Sequence, residues 1–110
     1  MPGYRACGTL DTSGMKLYSG NSFLVLNFAT GGNSNELPNN SHVMIFENLT
    51  ALGPQYSTIQ NIVNLGFGRF NHWGTRLYFS SSDNSNPMSN GRTYWWGVPN
   101  SDTCPSMFTP

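Results

Sequence analysis

Twelve glycines and seven prolines are scattered so that no window of this 110-residue chain free of them is longer than the 14 residues 39–52. Inside a helix, glycine costs about 1 kcal/mol and proline about 3 kcal/mol relative to alanine, so a long helix is excluded. Between the interruptions lie short runs of β-branched and aromatic residues. The clearest is SFLVLNFA, Ser22 to Ala29, a continuous apolar run bounded by SGN and TGG that predicts a strand covered on both faces. HVMIFENL, STIQNIVNLGF, TRLYFS and TYWWGV follow between turn-forming clusters, and MKLYSG, Met15 to Gly20, adds a short strand. Five to six strands at this spacing predict an all-β fold, a small antiparallel β-sandwich with no substantial helix. Ile59, Asn61, Val63 and Leu65 alternate with Gln60, Ile62 and Asn64, leaving polar side chains on both faces, as expected of an edge strand. The one helix-compatible window, NLTALGPQYS, is stopped after a turn by Gly53 and Pro54.

The stretch RTYWWGVP sets two indoles side by side. Successive side chains of a strand point to opposite faces, so Trp95 and Trp96 cannot both enter one core. One belongs to the core and the other to a second apolar layer, and in so small a domain a further copy of the chain is the expected source, making the pair core or trimer-interface residues.

The length gives room for one domain. Five basic residues balance five acidic ones, so the clustered cations that hold nucleic acid or an anionic membrane are missing. No apolar run approaches the roughly 20 residues that cross a bilayer, and MPGYRACGTL has no apolar signal-peptide core. Solubility falls to uncharged groups, above all in the polar loops Thr30 to Asn40 and Ser80 to Gly91, and long loops of this kind often carry function. Neutral hydrogen-bonding groups cost less to desolvate than ions, which suits a surface that meets glycans or packs into an oligomer.

Catalytic patterns are thin. Asp11, Glu36, Glu47, Asp83 and Asp102 show no acid/base spacing, and His42 and His72 are the only imidazoles. There is no Gly-x-Ser-x-Gly elbow, and the Gly-x-Gly of GFGRFNHWG lacks the flanking pattern of a phosphate loop. The expectation is no catalytic residue, no metal and no cofactor. Cys7 and Cys104 are expected to be free thiols; paired, they would close almost the whole chain, worth roughly 4 to 5 kcal/mol for a loop of about 100 residues. Asn39-Asn40-Ser41 and Asn48-Leu49-Thr50 are glycosylation sequons that matter only in a secreted protein. The most unusual local stretch is GRFNHWGTRLYF. Arg69, His72, Trp73 and Arg76 surround a glycine-punctuated turn and Arg92 precedes the aromatic strand, supplying guanidiniums for a carboxylate and an indole for an apolar face. These five are the candidate receptor-binding residues, against the alternative that the aromatics cap the core and the arginines meet solvent.

GTLDTSGMKLYSGNSFLVLNFATGG, Gly8 to Gly32, resembles the shaft-to-head junction of adenovirus fibres, of the compact atadenovirus-like type. Thr9-Leu10-Asp11-Thr12 stands in the hinge position, Ser22 to Phe28 in the first head strand, and the ending MFTP, Met107 to Pro110, in the position of a head terminus. The resemblance implies a junction over residues 1–14 and a β-sandwich head over 15–110. It also implies a homotrimer on the virion surface, assembled inside the host cell, that attaches the virion to a receptor protein or sialylated glycan. Assembly in a reducing interior again implies free thiols. The rival is a secreted lectin or carbohydrate-binding module, monomeric or dimeric, with Cys7 and Cys104 bridged; a third possibility is an adhesion or assembly module with no small ligand.

Overall fold

The computed structural model describes residues 3–106, so the MFTP ending lies outside the described residues. Eight strands form two four-stranded sheets: β1 (Tyr4–Thr9), β2 (Met15–Ser19), β3 (Ser22–Val25), β4 (Met44–Glu47), β5 (Thr50–Ala51), β6 (Phe70–Trp73), β7 (Arg76–Phe79) and β8 (Tyr94–Pro99). One sheet has the order β1-β8-β4-β5 and the other β2-β3-β7-β6, and every strand pairing is antiparallel. The all-β class and the sandwich expected from the sequence are what the chain adopts.

Alternation along the strands builds the core. Ile45, Tyr94, Trp96 and Val98 come from the first sheet, and Met15, Phe23, Phe70, Leu77 and Phe79 from the second, all in one buried cluster. The rings of Phe79 and Tyr94, 5.6 Å apart, join the two sheets. Fully burying side chains of this size contributes about 1.5–3 kcal/mol each, which is what a domain with so few charges must rely on. Gly97, in the centre of the first sheet, is required by backbone approach: a Cβ there would stand 2.4 Å from the Arg5 carbonyl oxygen.

SFLVLNFA is a strand only over Ser22–Val25, because Asn27 turns into the left-handed region at φ 53°. Its two faces are covered as expected, Phe23 by the opposite sheet and Leu24 by a second cluster with Ile62 and Tyr78. That second cluster corrects the expected strand STIQNIVNLGF, which is instead the short helix α1, Ile59–Asn64. Thr58 caps it, its side-chain oxygen accepting from the Asn61 N–H, and Ile59, Ile62 and Val63 fall at i, i+3 and i+4 on one face. Asn61 already broke the apolar row that a strand needs. Gly66, at φ +65°, ends the helix, where a Cβ would collide with the Asn84 side chain. NLTALGPQYS holds no helix; its start is β5, paired back on β4.

Residues 4–9, read from sequence as part of a junction, are strand β1, paired with β8 from Tyr4 opposite Pro99 to Thr9 opposite Trp95. The expectation of free thiols is corrected: Cys7 and Cys104 form a disulfide across 97 residues, and among the described residues no free cysteine remains. Pairing of β1 with β8 brings the two ends of the chain together, which a reading by sequence separation does not show. Among the described residues no helix is long and apolar enough to cross a membrane.

Candidate functional site

GRFNHWGTRLYF folds as the β6–β7 hairpin, and that disperses the residues it crowds in sequence. Arg69 precedes β6 and its guanidinium donates to the Gly66 carbonyl at 3.0 Å. Trp73 and Arg76 face each other at the far end, about 13 Å away for four residues of strand. Arg76 is exposed, and Trp73 is half-buried against the Leu24–Ile62–Tyr78 cluster. Arg92 is engaged elsewhere: it grips Asp83 with both nitrogens at 2.8 and 2.9 Å and stands 3.4 Å from Glu47. Those bonds hold the Asp83 carboxyl well below the usual range. Burial works to raise the Glu47 pKa, but Ser82, Tyr94 and Arg92 carry it below the ordinary value. With Ser81 and Ser85, this network closes the Ser80–Gly91 loop on itself.

His72, counted among the receptor contacts, is 2% exposed and has no surface to offer. Its Nε2 faces the Ala29 carbonyl at 3.0 Å, and its Nδ1 faces the Ser41 hydroxyl at 2.7 Å. A carbonyl only accepts, so Nε2 carries the proton and Nδ1 accepts from Ser41, which fixes the neutral tautomer. Asn33 adds to this seam. Its N–H donates to the His72 carbonyl, its amide donates to Asn71 Oδ1, and its Oδ1 accepts from the Ser41 N–H. Together these buried bonds fasten the long loop between β3 and β4 onto β6.

Burial pushes the His72 imidazole below its ordinary pKa. The unfolded chain therefore takes up a proton as pH falls through about 6.5, before the folded chain does, and stability is lost with falling pH in that window. The expected result is a melting temperature that drops between about pH 7.5 and about pH 5.5, with a shallower drop in a His72→Gln variant. Measuring both by circular dichroism in a His42→Gln background leaves one imidazole to titrate. Equal slopes would overturn the assignment.

The fastened loop walls a groove that wraps the end of the sandwich where β1 and β4 start and β6 and β8 finish. The first lobe, about 310 Å³, lies between Trp73, Ile59, Tyr56, Thr58 and Asn39. The second, about 260 Å³, runs from Tyr56 past Gln55 and Met44 to His42, Tyr4 and Pro99. The third, about 470 Å³, continues from His42 to Asp102, Asn40, Ser101 and Thr103. Tyr56 lines the first two lobes and His42 the last two, so the three are neighbours along this end of the sandwich. Tyr56 is held by its hydroxyl, which donates to the Ser41 carbonyl at 2.6 Å, and burial pushes its pKa up so that it keeps the proton. Gln55 donates to the Ser41 and Val43 carbonyls. His42 Nδ1 meets Asp102 Oδ2 at 2.6 Å, and Asp102 rides on the segment that the Cys7–Cys104 bridge ties down.

Of the five candidate receptor residues, only Trp73 lines this groove. Trp96 is a core residue, and Trp95 lies on the outer face of its sheet. Tyr4, His42, Tyr56 and Asp102 converge from four separate segments, with no spacing in the sequence to mark them. Among the described residues no group of three or more His, Cys, Asp or Glu is placed to hold a metal ion. Comparison with protein-family models, curated proteins and solved structures finds no match.

Proposed function

We propose that the chain is a non-enzymatic sugar-recognition module of the lectin type, working in an oxidising compartment. The observation that carries this reading is the set of three neighbouring lobes, whose lining combines Trp73, Tyr56 and Tyr4 with amides and hydroxyls. Aromatic faces suit the apolar C–H faces of pyranose rings, and neutral donors and acceptors suit their hydroxyls at low desolvation cost. The Cys7–Cys104 bridge supports display outside the reducing cytosol, where disulfides form and persist. Glycan-array binding by the intact, oxidised protein tests it. Binding is expected with modest affinity per site, strengthened by multivalent presentation, and a blank array overturns the reading.

A second reading, a homotrimeric viral fibre head that attaches the virion to a receptor, is favoured by a different surface. Leu17 (58% exposed), Tyr18 (48%), Leu65 (46%) and Phe67 (62%) lie at the other end of the β2-β3-β7-β6 sheet from Trp73. The tight approach of Gly20 to Val63 sets their two segments side by side. An exposed apolar patch beside the open edge of β2 is what a copy-to-copy contact would cover. Size-exclusion chromatography with light scattering separates the two readings: a stable trimer at micromolar concentration supports the head, and a monomer sinks it.

A further inference from the structure

We infer that the groove takes an uncharged, linear oligosaccharide and discriminates against acidic sugars, an inference that rests on the sugar-recognition reading above. Charge is the first ground. Among the described residues none of the lining side chains is Lys or Arg, and the one carboxylate in the groove is Asp102. The cations that would hold a sialate or uronate lie elsewhere. Arg69 and Arg76 sit on the β6–β7 hairpin outside the lining, and Arg92 is neutralised by Asp83 and Glu47. Two come near by register: Arg76, opposite Trp73 but itself outside the lining, and Arg5, opposite Val98 at the edge of the third lobe, whose guanidinium donates to the Asn100 carbonyl at 3.1 Å. A carboxylate ligand would meet the Asp102 carboxylate with no Lys or Arg in the lining to offset it, and like charges brought together in a partly desolvated site repel.

Unused hydrogen-bonding capacity is the second ground. The bonds that build the groove consume one end of each polar side chain and leave the other. Gln55 donates through Nε2 and Asn40 donates to the Gly31 carbonyl, and among the described residues Gln55 Oε1 and Asn40 Oδ1 take no bond. Thr58 accepts from Asn61 and retains its own O–H, while His42 is bound through Nδ1 and retains Nε2. A mixed set of donors and acceptors is what vicinal hydroxyls require, since each hydroxyl both donates and accepts. Shape is the third ground. Neighbouring lobes that share Tyr56 and His42 as lining offer more than one seat, so an occupant that reaches all three is a chain of units rather than a single ring. Its apolar faces lie on Tyr56 and Trp73, and its hydroxyl-rich end lies at the His42–Asp102 pair.

The experiment is a glycan array followed by isothermal titration calorimetry on the oxidised protein, using neutral oligosaccharides of increasing length and matched sialylated and uronate-containing chains. Affinity is expected to rise with length until the three lobes are filled and to be insensitive to ionic strength, because no ion pair forms. Trp73→Ala and Tyr4→Ala, checked for unchanged melting, are each expected to weaken binding at least about tenfold. Arg69→Ala combined with Arg76→Ala should leave it unchanged. Asp102→Asn should narrow the preference for neutral over acidic chains, read as the ratio of the two affinities. A preference for acidic chains, or binding abolished by the double arginine variant, overturns the inference while leaving sugar recognition standing. An array on which nothing binds overturns both.

Discussion

Replacing Cys7 and Cys104 by serine should cost about 4–5 kcal/mol, because the bridge closes a loop of 97 residues and long loops gain the most from closure. Domains of this size hold only about 5–15 kcal/mol in total, so the variant should lie close to its unfolding threshold. At about 4–8 °C per kcal/mol for small domains, the melting temperature should fall by about 20 °C or more. The loss has a structural address. β1 is an edge strand held by β8 on one side only, and beyond β8 the chain is held by few bonds, such as Asn100 to the Gly3 carbonyl and Thr30 to the Ser106 carbonyl. Thermal unfolding followed by circular dichroism, in the oxidised protein, the reduced protein and the double serine variant, measures it. The oxidised form should melt far above the other two. Coincident transitions would mean that the bridge stabilises nothing, and with it would go the argument for an oxidising compartment. Under the sugar-recognition proposal, ligand binding should weaken in parallel, since Asp102 and Thr103 stand on the tethered segment.

What the sequence made legible follows from the range of the forces involved. The strands Ser22–Val25, Met44–Glu47, Arg76–Phe79 and Tyr94–Pro99 are continuous apolar runs whose preference is local, and they fold where they were expected. Ile59–Asn64 misled because its apolar positions satisfy a period of two almost as well as one of 3.6. The deciding facts were the Thr58 cap and the apolar outer face built by Leu24 and Tyr78, a face that only the assembled sheet presents. The site was less legible still. Arg69, His72, Trp73 and Arg76 are neighbours in sequence, but strand alternation sends His72 into the core and Trp73 outward, and the hairpin's length separates Arg69 from Arg76. Proximity along a strand is not proximity on a surface. The residues that do converge, Tyr4, His42, Tyr56 and Asp102, are joined through the pairing of β1 with β8 and through the seam at His72, both long-range consequences of topology. The segment from Thr30 to Asn40, which stands out in the sequence by its length and polar composition, forms one wall of the groove.

The two adjacent tryptophans should differ sharply when removed. Trp96 is 2% exposed, meets the Phe28 ring edge-on at 4.8 Å, and packs so close to β1 that a Cβ on Gly8 would stand 3.0 Å from its indole nitrogen. Truncating it to alanine leaves a cavity walled by both sheets, at a cost of about 3–5 kcal/mol. Trp95 answers the alternation differently. On the outer face it stacks on Phe46 at 4.1 Å and 11°, with Tyr4 packed edge-on against the other side of that contact at 5.4 Å, and its indole N–H donates to the Asn48 carbonyl at 2.7 Å. The second apolar layer that the sequence demanded is thus supplied within the chain, by a cross-strand pair in register, Phe46 opposite Trp95. Losing a stacked pair and one hydrogen bond at a half-exposed position should cost about 1–2.5 kcal/mol. Urea unfolding of Trp96→Ala and Trp95→Ala, each with the disulfide intact, should therefore separate the variants by about 2 kcal/mol, with an unchanged denaturant slope. Equal losses would place Trp95 in a buried contact that the single chain does not contain, and would return it to the interface between copies.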